Sequence, residues 1–324
     1  MSQDYLRTRR RIVTIIMLLG LCLIAIPSLD AASLLPGDIV VTDFDTSALI
    51  KVDPLTGDQE LIAQGGNLDR PAGLTMDSAG QLIVADIGSA SLGKLIKVDP
   101  ITGDQTVIVS THSLVEPVID ANGDYLVTAN APGYSAYGVK RITPLGDETW
   151  LSSNGYLESP EGICFGVDGH LLVADPSSGV LGPEDDILHI NRTSGVQSVI
   201  SANNLFMDPV DVAVEDADHI FVLDDLLNAL LRVVVSNGSQ SIVSSGNLIS
   251  NPNTMAVEAS GMVLITDHAN GLLRIDPSDG SQSVLSSGGY FSVPQGLYVV
   301  VPEPAATGLI MIVVTTCGLL IRRK

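Results

Sequence analysis

The chain has 324 residues and a formal net charge of −21, with 16% of residues charged and 45% apolar. A surface this acidic repels nucleic acid and anionic lipid. The apolar fraction, with 31 Gly and 17 Pro, excludes a disordered chain and suits a turn-rich, all-β one.

The first residues are unlike the rest. Arg7, Arg9, Arg10 and Arg11 precede an apolar run from Ile12 to Ile26, which Pro27 closes; Ala31, Ala32 and Ser33 follow. This is the anatomy of a secretory signal peptide over residues 1–32. Leu29 and Asp30 depart from the small-x-small cleavage pattern, and Leu21 before Cys22 argues against a lipoprotein signal. Read without cleavage, the segment is an N-terminal anchor. On either reading the middle is expected to be exported. Cys22 and Cys317 lie in apolar terminal segments, so Cys164 is alone in the middle and has no intrachain disulfide partner there. Its run, Gly162-Ile163-Cys164-Phe165, reads as strand, and the thiol as a small core group.

Residues 33–300 repeat. A turn leads into four or five apolar residues, and Asp or Asn ends the run, as in Gly80-Gln81-Leu82-Ile83-Val84-Ala85-Asp86. The six copies end at Asp43, Asp86, Asn130, Asp175, Asp224 and Asp267. Prolines at 71, 117, 160, 209, 252 and 294 open the units, at intervals of 46, 43, 49, 43 and 42 residues. A period in the forties with several short strands per unit predicts a β-propeller; helical repeats would show 3.6-residue apolar spacing, which is absent. Each unit reads as four strands, a to d. Strand a follows the proline and strand b ends at the Asp or Asn. Strand c carries a basic or polar residue before an aliphatic one: Lys51, Lys97, Arg141, His189, Arg232 and Arg274. A Pro- and Gly-bearing turn such as Asp53-Pro54-Leu55-Thr56-Gly57 leads to strand d. The first unit lacks strand a, and the last, after Pro294, has only strand a. Together they make one blade, which predicts six blades, 24 strands and a ring closed by the C-terminal strand with no open edge.

The Pro-x-Gly openings (Pro71-Ala72-Gly73, Pro160-Glu161-Gly162, Pro294-Gln295-Gly296) and the strand ends Val84-Ala85-Asp86 and Val173-Ala174-Asp175 resemble those of NHL-repeat and gluconolactonase-like six-bladed propellers. The fold hosts hydrolases, lactonases, sensors and binding scaffolds alike, so the resemblance speaks to fold and little to function. The strand-b residues read as structural, each capping amides of its own b–c loop; a cation-binding ring is the competing reading. At the strand-a openings stand Ala72, Val118, Glu161, Asp211, Asn253 and Gln295. The resemblance implies that a Glu, an Asn and an Asp there hold a divalent cation, often calcium. Glu161, Asn253 and Asp211 supply the matching oxygens, with Asp211 one residue past the usual slot and a candidate base on a metal-activated water. From the strand-b acid to the strand-c basic or polar residue are 8, 11, 11, 14, 8 and 7 residues in blades 1 to 6. Blades 2 to 4 therefore carry longer b–c loops, with Tyr134, Tyr137 and Glu184-Asp185-Asp186, expected to form a wall at one side of the channel mouth.

Residues 301–324 close the chain. Val301-Pro302-Glu303-Pro304 precedes an uncharged run from Ala305 to Ile321 and the basic tail Arg322-Arg323-Lys324. The run just suffices to span a bilayer, with its basic end cytoplasmic. The three parts in this order resemble a PEP-CTERM sorting signal. That resemblance implies an exosortase-type processing enzyme, an inner-membrane-anchored precursor and a final place in the envelope or outside a Gram-negative cell; a plain C-terminal anchor is the simpler reading. The expected function is an exported binding or structural propeller with an envelope protein or carbohydrate as ligand. The alternative is a calcium-dependent lactonase-type hydrolase, with Asp211 the candidate catalytic residue.

Overall fold

In a computed structural model the described residues are 34–89, 92–112, 114–129, 137–176 and 185–301. The expected signal helix, the Pro302-Glu303-Pro304 motif, the C-terminal helix and the basic tail lie outside them, as do Asn130, Tyr134 and Glu184. Among the described residues no helix is long and apolar enough to cross a membrane.

Blade 1 takes β1 (Ile39–Asp43), β2 (Ala48–Val52) and β3 (Gln59–Gln64). Blade 2 is β4 (Pro71–Met76), β5 (Leu82–Asp86), β6 (Gly93–Val98) and β7 (Gln105–Thr111). Blade 3 is β8 (Leu114–Ile119), β9 (Tyr125–Ala129), β10 (Gly138–Ile142) and β11 (Glu148–Ser153). Blade 4 is β12 (Ile163–Phe165), β13 (Leu171–Asp175), β14 (Asp186–Ile190) and β15 (Gln197–Ala202). Blade 5 is β16 (Pro209–Val214), β17 (His219–Asp224), β18 (Ala229–Val234) and β19 (Gln240–Ser245). Blade 6 is β20 (Pro252–Val257), β21 (Val263–Asp267), β22 (Gly271–Ile275) and β23 (Gln282–Ser286), and β24 (Pro294–Val299) completes blade 1. The six four-stranded sheets run a-b-c-d, with β24 paired antiparallel to β1. The protein is the expected six-bladed propeller, closed by its last strand.

The strand-b runs are apolar throughout because both their faces are buried. In β1, β5, β9, β13 and β21 every residue is buried. The core accordingly lies between blades, as six clusters. One joins Leu172 and Ile187 of blade 4 to Val212, Ile220 and Leu231 of blade 5, and another joins Phe221 to Ile265 and Leu273 across blades 5 and 6. Each such aliphatic side chain contributes about 1.5–3 kcal/mol on burial.

The seams between blades carry polar joints as well. In five blades the Gln that opens strand d reaches back to the preceding blade. Gln59 donates to Ser286 Oγ (2.9 Å) and the Gly288 carbonyl (3.1 Å) and accepts the Tyr290 amide (2.6 Å). Gln105, Gln197, Gln240 and Gln282 make related bonds. Gly57 in the preceding turn has φ +76°, and a Cβ there would lie 1.9 Å from the Leu285 carbonyl oxygen. Only glycine lets that turn pack so closely on the neighbouring strand.

Ring closure does not remove every edge. The d strands β3, β7, β11, β15, β19 and β23 pair on one side only. Each c–d ladder carries a register shift, and such irregularities blunt an edge against pairing with another chain.

Candidate functional site

All six strand-a openings line one cavity in the central channel, through Ala72, Glu116, Glu161, Val210, Asn253 and Gln295 among others. Ladder register decides which residues are equivalent. Leu74 pairs with Val84, Ile163 with Val173, Val212 with Val222 and Leu297 with Val41. In blade 3 the matching pair is Pro117 with Val127. Ala72 therefore matches Val115, Glu161, Val210, Asn253 and Gln295, and the next slot holds Gly73, Glu116, Gly162, Asp211, Thr254 and Gly296.

Two expectations shift on this register. In blade 3 the opening slot belongs to Val115, and Val118 lies three residues further into the strand. Leu114 pairs with Ala129 where Pro71 pairs with Asp86. Pro117 itself sits inside β8, an innermost strand with a neighbour on one side only, where a missing N–H is tolerated. Likewise Ala129, opposite Gly138, fills the slot that Asp86 fills opposite Lys94; Asn130 itself lies outside the described residues.

The other five strand-b carboxylates bind backbone. Asp43 Oδ2 accepts the amides of Ser292 (2.7 Å) and Val293 (2.8 Å), and Oδ1 that of Thr46 (2.9 Å). Asp224 accepts Met207, Asp208 and Leu227, and Asp267 accepts Ser250, Asn251, Ala269 and Asn270. Asp175 holds Glu158 and Ser159, and Asp86 holds Asp69. These side chains stitch the incoming d–a segment to the strand. In blades 1, 5 and 6 they also cap the b–c loop.

Glu161 and Asn253 line the channel cavity together, whereas Asp211 does not. Asp211 is 2% exposed and accepts three hydrogen bonds: Val212 N (2.7 Å), Thr254 Oγ1 (2.8 Å) and Met255 N (2.7 Å). The neighbouring repeats explain this role. Thr42 and Thr266, on strand b of blades 1 and 6, each donate a hydroxyl to the next blade's strand-a carbonyl. Blade 5 has Leu223 at that position, and Asp211 supplies the missing joint to blade 6. Among the described residues no three His, Cys, Asp or Glu groups converge as metal ligands. Glu161, Asp211 and Asn253 do not fit calcium as one set, because the Asp211 oxygens are turned to protein donors.

Burial instead raises the carboxyls in and around the channel. Burial pushes Glu161 up to about 8, helped by the charges of Asp208, Asp225, Asp175 and Asp211. Burial also raises Asp211 to about 6, against three opposing hydrogen bonds. Glu116 goes well above the usual range through burial and the nearby Asp211 charge, although the Ile163 amide opposes the shift. Asp175 rises to about 7 and Asp208 to about 6, each mainly by burial. Burial raises the Cys164 thiol far out of the thiolate range, consistent with a core group. His268 meets Gln295 Oε1 at 3.2 Å.

Glu116 is the site residue that the repeat pattern hides. It stands in the glycine slot, and only the ladder register places it in the channel. Of the longer b–c loops, Asp186 is the first residue of β14 and 4% exposed, so it belongs to a strand and not to a raised wall.

No family model matches the chain, and no curated protein matches it in sequence. Solved structures match its fold. One, in a nidogen/laminin complex, has a TM-score of 0.69 at 13% identity over 82% of this chain and 98% of that one. A virginiamycin B lyase from Staphylococcus aureus has a TM-score of 0.53 at 17% identity, over 70% of this chain and 73% of that one. Identities this low carry the architecture alone, and the chain shares it with a protein solved in a binding complex and with a lyase.

Proposed function

We propose that the protein is an exported binding or structural propeller of the cell envelope or extracellular matrix, sorted by its C-terminal segment. One observation carries the choice of a binding module over a hydrolase. The carboxylate best placed by sequence to serve as metal ligand and base, Asp211, is buried and spends its oxygens on Thr254, Met255 and Val212. The basic, apolar and small-residue order of residues 1–32 supports export. Pro302-Glu303-Pro304, the apolar run and Arg322-Arg323-Lys324 support handling by an exosortase-type enzyme. A ligand would sit at the channel mouth, where Glu161, Asn253 and Gln295 offer hydrogen bonds suited to an envelope protein or a carbohydrate.

Two measurements test this. Replacing Pro302, Glu303 and Pro304 by Ala should leave the protein in the inner-membrane fraction; an unchanged distribution would overturn the sorting assignment. Thermal unfolding of the intact chain should be the same with excess calcium as with chelator. A cation bound only by the folded state at 100 times its dissociation constant would add about 2.7 kcal/mol. A shift of that size, lost in Glu161→Gln, would reinstate the calcium-dependent hydrolase.

A further inference from the structure

Three blades carry an arginine clasp on strand c, and blade 1 pairs Lys51 with Asp38 instead. In blades 3, 5 and 6 the strand-c arginine meets an acid that opens the same blade's a–b turn: Arg141 with Asp120, Arg232 with Glu215 and Arg274 with Glu258. Two of these guanidiniums also cross the seam to the next blade's c–d turn. Arg141 donates to the Arg192 carbonyl (3.1 Å) and Arg274 to the Pro54 carbonyl (2.8 Å). Blade 4 has lost both halves of the clasp. His189 stands at the arginine position and Gly166 at that of the acid.

A cleft opens at that seam. Blade 4 lines it with Gly166, Asp168, Leu172, His189 and Ile200, and blade 5 with Val214, Asp216, Ile220 and Val235. Val235 is the counterpart of Pro54 and Arg192, the residues whose carbonyls accept the guanidinium elsewhere. Asp168, two positions along the turn from Gly166, keeps a carboxylate at the rim. It accepts the His189 Nε2 contact at 2.8 Å and the His170 amide at 2.9 Å, and its side chain stays 50% exposed. Asp216 adds a second carboxylate from blade 5; it holds His219 and the Asp218 amide and is 56% exposed. A carboxylate has room for about four hydrogen bonds, so both retain acceptor capacity. Between them the walls are aliphatic, as the methylene stem of an arginine requires.

We propose that this cleft binds a guanidinium group on an aliphatic stem, supplied from outside the chain, in the place where blades 3, 5 and 6 put their own arginine. The stem packs on Leu172, Ile200, Val214 and Ile220. The guanidinium lies between Asp168, Asp216 and the Val235 carbonyl. The cleft lies on the face of the a–b and c–d turns, away from the channel mouth, so it stands independently of the reading given for the channel.

The test is calorimetric titration of the intact chain with N-acetyl-arginine methylamide, with the uncharged citrulline analogue as control. Saturable binding of the arginine compound, at least tenfold weaker for citrulline, is the expected result. His189→Arg should fill the cleft with the chain's own side chain and weaken binding at least tenfold. It should fold, because Arg141 and Arg274 occupy the same position in other blades. Asp168→Asn should weaken binding in the same direction. Arginine-containing peptides then identify the source: tenfold tighter binding than the blocked amino acid points to a partner protein's arginine, and equal binding to a free guanidino compound. Absence of binding by amino acid and peptide alike, or binding unchanged in His189→Arg, would overturn the proposal.

Discussion

At the outer seams a carboxylate faces a guanidinium, while in the central channel carboxylates face one another. Burial pushes Asp120 upward, but the Arg141 guanidinium and the amides of Asn122 and Asp124 hold it below the usual carboxylate range. Burial also raises Glu161, and there the neighbouring charges of Asp208, Asp225, Asp175 and Asp211 push the same way, to about 8. One residue type thus serves opposite ends in one molecule. An acid with a cation beside it fastens the seam when ionised. An acid among acids favours the fold only while it keeps its proton.

Removing the cation from a seam is the harshest way to break this contrast. Arg141→Ala leaves Asp120, whose side chain is 4% exposed, and Asp124 without their partner, and it takes a donor from the Arg192 carbonyl. The expected loss is about 2–3 kcal/mol, below the range for a fully buried pair because Arg141 itself is partly exposed. The melting temperature should fall by roughly 5 °C. A drop under about 1 °C would place the strength of the seam in its apolar packing alone.

The pH profile separates the two regions next. Asp120, lowered on folding, contributes stability present above the unfolded carboxylate pKa and lost as the pH falls through its folded value. The raised group runs the other way. Glu161 at about 8, Asp175 at about 7, and Asp208, Asp211 and Asp86 at about 6 all bind protons on folding. Their ionised forms weigh against the fold at pH 8, and that cost fades as the pH falls toward 5. Stability should therefore rise from pH 8 to pH 5, by roughly 5 °C in melting temperature, and drop again below pH 4. A flat or opposite slope between pH 5 and 8 would contradict carboxyls raised by burial.

Glu161→Gln sharpens the same point with a smaller effect. It removes the group raised furthest of those titrating near neutrality, so it should stabilise the protein at pH 8 by roughly 2–3 °C and leave it unchanged at pH 5. Equal shifts at both values would mean that the change acts through packing and not through charge.

The architecture was open to sequence reading because the repeat writes itself six times, and the buried strand b stands out as a continuous apolar run. The channel was less open. Prolines and strand-end acids mark turns, whereas the channel slot depends on ladder register. Most a–b ladders carry an irregularity at the channel residue. Pro117 therefore marks a position three residues inside β8, and Glu116 is hidden beside it. In blade 3 the register likewise gives the strand-end slot to Ala129. Gln59, Gln105 and Gln282 are visible in the turn motif, but their partners belong to the preceding blade, which a single repeat does not display.

His189→Ala is the mildest change and the one that isolates the seam between blades 4 and 5. The His189–Asp168 pair is exposed on both sides, at 27% and 50% for the two side chains, and it does not continue the arginine joint seen at Arg141. An exposed pair of this kind is worth about 0–1 kcal/mol. The substitution should lower the melting temperature by no more than about 2 °C, well under half the effect of Arg141→Ala. If instead the two variants lose equal stability, His189 fastens blades 4 and 5 as firmly as an arginine fastens 3 and 4, and the seam cannot be called open. A small loss leaves the apolar cluster of Leu172, Ile187, Val212, Ile220 and Leu231 as what holds these two blades together, and leaves the cleft beside it free of a structural task.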